Sequence, residues 1–170
     1  MSLITVKVQD FGAAALLRRA QRLAGNPEPV LRAMVTTLKS ITEGTFNSAG
    51  AAYRPAPWPP KRDGSPSILQ KSTTLAKSFF LEVGQRSAMV SNPMRYAAIH
   101  QFGGEIRPKN AKALRFQSGG RWWTVQKVTM PARPFFPIAP DGGLTQAATD
   151  RILSAGQRTL DRLLQRAAGA

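Results

Sequence analysis

The stretch YAAIHQFGG, residues 96–104, decides how the middle of this chain is built. Tyr96, Ile99 and Phe102 recur at the i, i+3 spacing of one helical face. Gly103-Gly104 then supplies the residue type that most readily closes a helix in a left-handed conformation. The spacing predicts two helical turns ended by the glycine pair. On either side the patterning is that of strands. FFLEVG (79–84) and SAMVSN (87–92) flank Gln85-Arg86 and read as a hairpin. ALRFQ (113–117) and WWTVQKVTM (122–130), joined through Ser118-Gly119-Gly120, read as a second. Upstream, ILQKSTTLAKSFF (68–80) reads as a short helical turn running into a strand.

Working outward, the ends of the chain are helical. LITVKV (3–8) alternates as a short strand, and Asp10 is placed to cap a helix over residues 11–25 that stops at Gly25. Asn26-Pro27 starts the next helix, with Asn26 as cap and proline at the first turn. Along it Val30, Leu31, Met34, Val35, Leu38, Ile41, Thr42 and Thr45 form one apolar stripe of about five turns, a core face with no polar group aimed into it. A last amphipathic helix covers 144–167, with Leu144, Ala148, Ile152, Ala155, Thr159, Leu160, Leu163 and Leu164 aligned. Between these, residues 49–67 hold five prolines and read as an extended loop or arm without helix or ladder. PARPFFPIAP (131–140) is extended by its prolines. The expected architecture is a single α+β domain over 1–170. In it, a central antiparallel sheet of hairpins packs against long N-terminal and C-terminal helices, with the Pro-rich loop outside.

Charge is the strongest compositional fact: 24 Lys and Arg stand against 9 Asp and Glu, a formal net charge of +15. From Arg54 to Arg133 there are fourteen basic groups and only Asp63, Glu82 and Glu105 to oppose them. Such a surplus attracts nucleic acid or an acidic protein surface. The segment 107–127 concentrates the property, with Arg107, Lys109, Lys112, Arg115, Arg121 and Lys127 interleaved with Phe116, Trp122 and Trp123. Phosphate contacts plus base stacking would use this mixture, and so would a protein interface, where Trp beside Arg makes a hot spot. Strand alternation puts Trp122 and Trp123 on opposite faces, so at least one meets solvent or another chain.

Catalytic constellations are thin. His100 is the only histidine and there is no cysteine, so zinc sites of the usual types cannot be assembled. Paired carboxylates and the glycine-rich phosphate-binding patterns do not occur, and no cofactor is implied. No apolar run approaches the ~20 residues of a membrane span. The N-terminus does not read as a signal peptide. His100 sits where a helix end welcomes its ring N–H or its charge, a structural role rather than a catalytic one.

Three separated signals, ILQKSTTLAKSF (68–79), YAAIHQFGG (96–104) and MPARPFF (130–136), with Trp58 ahead of them, together resemble the virion morphogenesis or tail completion proteins of Mu-like tailed phages and prophages. The resemblance covers residues 58–140. It implies a non-enzymatic structural protein of the virion neck or tail end, assembled in the host cytoplasm. It implies further a ring, of six subunits, that joins the tail tube to the head connector around a lumen carrying genomic DNA. On that reading Tyr96, His100, Gln101, Phe102, Gly103 and Gly104 build a rigid turn, and Phe135 and Phe136 lie in a core or a subunit groove. Trp58, Arg107, Lys109, Lys112, Arg115, Trp122, Trp123 and Arg133 join them as interface candidates. The competing readings are a basic DNA-binding or packaging module and a small hydrolase using His100.

Overall fold

The stripe of residues 30–45 makes the first wall of the core. In the computed structural model, which describes residues 4–7, 18, 21–22, 25–61, 69 and 73–168, it forms helix α1, Glu28–Gly44. Asn26 Oδ1 accepts the Glu28 N–H at 2.9 Å, and Pro27 O takes the Leu31 N–H at 3.0 Å, so these two donors at the start of the helix are met. Val30, Leu31, Met34, Val35, Leu38 and Ile41 are all buried on one face. Thr42 and Thr45 are buried among them because their hydroxyls donate back to Leu38 O and Ile41 O, at 2.8 and 2.9 Å. The helix expected over 11–25 lies largely outside the described residues. Its end is visible: Gly25, at φ +68°, donates its N–H to Gln21 O at 3.1 Å.

A 3-10 helix, Ser48–Tyr53, follows α1. Residues 49–67 therefore do not begin as an extended arm. Ser48, Ala49, Gly50, Ala51 and Ala52 carry nothing that opposes tight turns, and the first proline comes only at 55. Then come a single helical turn, α2 (Thr74–Lys77), and strands β2 (Phe80–Val83) and β3 (Ala88–Asn92). The hairpin expected around Gln85-Arg86 is present, and strand β1 (Ile4–Lys7) pairs antiparallel with the other edge of β3. The order is β1-β3-β2. Ala88, Val90 and Asn92 of β3 face the core, alternating with half-buried neighbours. Asn92 is tolerated there because its amide donates to Leu75 O at 2.9 Å and accepts from Met94 N at 3.1 Å.

Helix α3, Ala97–Phe102, leads into β4, Gly104–Ile106. Strands β5 (Leu114–Ser118) and β6 (Arg121–Val125) form a hairpin whose two-residue turn, Gly119-Gly120, has φ of +59° and +75°, as the favoured type I′ geometry requires. WWTVQKVTM does not run as one strand. β5 begins at Leu114, opposite Val125, so nothing is left to pair with 126–130 on that side. β7 (Val128–Met130) pairs with β4 instead, in the register Gly104↔Met130 to Ile106↔Val128. The α+β mixture with helices toward both ends stands, and the strands divide into three small antiparallel sheets rather than one central sheet.

The last helix, α4 (Gln146–Ala168), packs along α1 in the largest contact between elements. It contributes Ala148, Ile152, Ala155 and Leu160 to the core, while Leu153, Leu163 and Leu164 lie half-buried against it. Leu144 is buried just ahead of the helix, bridged to Ile138. Between the helices and the β1-β3-β2 sheet sits a cluster of rings. Phe46, Phe79, Phe135 and Phe136 contact one another at centroid separations of 5.1–6.0 Å, and Trp58 meets Phe46 edge-on at 5.7 Å.

Candidate functional site

An extended segment bounded by prolines has no ladder to satisfy its backbone, so it needs acceptors from elsewhere. For PARPFF these come from YAAIHQFGG. Gln101 is 3% exposed; its Oε1 accepts the N–H groups of Phe135 and Phe136, each at 2.9 Å, and its Nε2 donates to Phe136 O at 3.3 Å. His100 O accepts the Arg133 N–H at 2.7 Å. Gly103 has φ +69° and ψ −170°, and a Cβ there would stand 2.7 Å from Ala132 N and 2.9 Å from Met130 O. Only glycine lets the two segments approach so closely.

The same joint binds the Pro-rich segment. Trp58 Nε1 donates to Pro134 O at 2.7 Å. Arg133, 7% exposed, donates through Nε and Nη2 to Pro59 O and Pro60 O, both at 3.3 Å. Arg54 lies over the Trp58 ring at 4.0 Å and donates to Thr45 O, its burial drawing its pKa below the ordinary value. Residues 54–60 are thus held on their own chain. Trp58 and Arg133 thus bond to their own chain, and Phe135 and Phe136 are fully buried in its core.

His100 belongs to this joint. Its ring meets Tyr96 edge-on at 5.9 Å, and its Nδ1 is buried with no hydrogen-bond partner among the described residues. Burial chiefly, and the positive charge of Arg133 second, push its pKa below the ordinary value, so the ring is held neutral. Phe102, at 63% exposed, points the other way from the core, and Tyr96 is also exposed. Among the described residues no cluster of three or more His, Asp or Glu is grouped to hold a metal ion.

The basic hairpin is a separate surface. β5 and β6 pack chiefly on each other, and Trp122, Trp123 and Phe116 are all exposed. Register puts Phe116 beside Trp123 on one face and Gln117 beside Trp122 on the other. Arg115 lies over Trp122 at 4.8 Å and Arg121 over Trp123 at 5.7 Å, one cation–ring pair on each face. At the root, Glu105 holds Arg107 at 2.8 Å and Lys127 at 3.2 Å. Lys109 and Lys112 are exposed on the bends leading out to β5.

Sequence reasoning does not single out two further exposed apolar residues. Phe80 (61% exposed) and Leu81 (40%) are consecutive on β2, an edge strand among the described residues, and project to opposite sides of it. The signal is present in FFLEV, a run too apolar for a strand with one face in water.

Two comparisons bear on these surfaces. The joint and the strands around it fall inside residues 8–161, which match the phage virion morphogenesis family; the chain belongs to that family. Its role is therefore structural, in building a phage particle, and it is a virion-associated protein. The chain is also 35% identical over 127 residues to the Mu-like prophage FluMu G protein 2 of Haemophilus influenzae, an alignment covering 75% of this chain and 77% of that one. No solved structure matches it. No helix among the described residues is long and apolar enough to cross a membrane.

Proposed function

We propose that this protein completes the phage tail and joins it to the head connector, acting as a closed ring of six subunits around the DNA channel, with the connector and tube proteins as its neighbours. The observation that carries this reading is the division of its apolar surface. Gln101, Phe135 and Phe136 of the motifs are buried within the subunit, whereas Phe80 and Leu81 stand exposed on a strand edge that has no partner among the described residues. A ring closes through a heterologous contact in which each subunit presents two different surfaces. Edge strand β2 is one such surface, able to add a neighbour's extended segment by main-chain hydrogen bonds. Exposed Phe102, Ile106 and Tyr96, around the end of α3, supply a second apolar surface.

Phage particles made without this protein test the assignment. Full heads lying beside separate tails in electron micrographs are the expected result; joined particles would reject it. In purified form, Leu81→Lys on β2 should shift the sedimenting species from ring to monomer while leaving the thermal midpoint of the subunit unchanged. A wild-type chain that sediments as a monomer at tens of micromolar would reject the ring.

A further inference from the structure

We propose that the β5–β6 hairpin is a nucleic-acid arm whose cations grip the phosphate backbone of DNA. The inference goes beyond the assembly reading and does not depend on ring formation. From Arg107 to Met130 the chain carries six basic residues and no acidic one. Arg107 and Lys127 share Glu105 at the root. Lys109, Lys112, Arg115 and Arg121, further out, have no carboxylate partner among the described residues. Self-repulsion opposes gathering four such charges on one ribbon and the bends that lead to it unless a dense anion meets them.

The geometry fits that anion. Arg115 is laid against Trp122 on one face of the hairpin and Arg121 against Trp123 on the other, so each face presents one exposed guanidinium to phosphate oxygens. A two-stranded ribbon is narrow enough for the major groove of duplex DNA, about 12 Å wide. The exposed Trp122 ring would also accept an unpaired base.

A second copy of this chain is a poor occupant. Glu28, Glu43 and Glu105 are already paired with Arg32, Lys39, and Arg107 with Lys127. Asp141, Asp150 and Asp161 accept hydrogen bonds from Gly143, Gln146 and Gln157, which leaves Glu82 on β2 as the single described carboxylate without a partner, one charge against the hairpin's four. The copy that would have to neutralise the hairpin carries +15 itself. Duplex DNA offers a charge every ~1.7 Å along its axis.

Fluorescence anisotropy of the full chain with a 20-base-pair duplex, and separately with the 20-nucleotide single strand, decides the matter. Affinity should fall steeply between 50 and 200 mM salt. Each hairpin cation replaced in the series Lys109→Gln, Lys112→Gln, Arg115→Gln and Arg121→Gln should flatten the log–log salt slope by about 0.9 on the duplex, or about 0.7 on the single strand. Arg158→Gln with Arg162→Gln, on exposed positions of α4, should leave the slope unchanged. A loss with Trp122→Ala confined to the single strand would identify stacking on unpaired bases; no such loss identifies the duplex backbone. Three results would overturn the proposal: no binding at 50 mM salt, a slope indifferent to the hairpin substitutions, or competition by charge-matched polyglutamate as effective as DNA, which would make an acidic protein the partner. Sedimentation of the same samples separates this question from assembly. A hairpin variant that still forms rings but loses DNA supports the arm, and a chain that never forms rings but keeps the slope rejects only the ring.

Discussion

Gly103 is where two distant stretches of sequence come closest, and its conformation is the kind that glycine alone adopts without strain. Gly103→Ala would add that strain to a Cβ pressed on the backbone of Ala132 and Met130, neither of which can swing aside as a side-chain tip would. The expected destabilisation is about 3 kcal/mol, or roughly 6–12 °C in thermal midpoint for a domain of this size, read by calorimetry. Its neighbour His100 gives a pH signature. The folded state lowers the His100 pKa below the ordinary 6.5, so the unfolded chain takes up the proton first as pH falls. Stability contributed by the neutral ring is present above pH 6.5 and is lost as pH drops below it. The thermal midpoint should therefore fall between pH 7.5 and 5.5, and His100→Gln should remove most of that fall. A profile identical in the two proteins would mean that the ring is not held neutral in the joint. Both residues can be singled out in the sequence, His100 because it is unique and Gly103 because it ends an apolar helical pattern. That Gly103 faces Ala132 cannot be, because the approach is set by a segment about thirty residues away.

At the scale of elements, Trp58 shows how a loop becomes part of a core. Its ring fills the edge of the phenylalanine cluster, its N–H reaches Pro134 O, and Arg54 covers its face. Trp58→Phe should cost about 1 kcal/mol, the lost hydrogen bond, and Trp58→Ala about 3 kcal/mol, the lost ring besides, both in urea unfolding of the isolated subunit. If Trp58 acted only between subunits, neither change would alter that unfolding. Helices α1 and α4 are legible almost residue by residue, because little besides an amphipathic helix produces a 3.6-residue apolar period over four or more turns. The first hairpin is legible from two short apolar runs that flank Gln85-Arg86, although only β3 alternates in burial. The region 49–67 is not, since proline forbids ladders without saying whether the chain stays on the surface or is fastened down. The division of 122–130 is equally hidden: its apolar pattern continues across Gln126-Lys127, and only the choice between β5 and β4 as partner breaks it. Phe135 and Phe136 can be named from their motif, but a core and a subunit groove demand the same apolar residues.

For the molecule as a whole, composition carries the charge and the helical frame, and the resemblance carries the family. The distribution of exposed rings comes from tertiary structure alone. The short ladder of β4 with β7 gives this arrangement a further meaning. It brings Gly104 and Met130 side by side, so the 25 residues between them, hairpin included, leave and re-enter the body through one narrow clasp. Closing a longer or shorter excursion through such a clasp changes the loop-closure entropy by only about 0.6 kcal/mol per doubling of length. The arm can therefore be lengthened, trimmed or exchanged for another sequence while the joint and core beneath it keep their geometry. That makes the hairpin a replaceable fitting on a fixed socket.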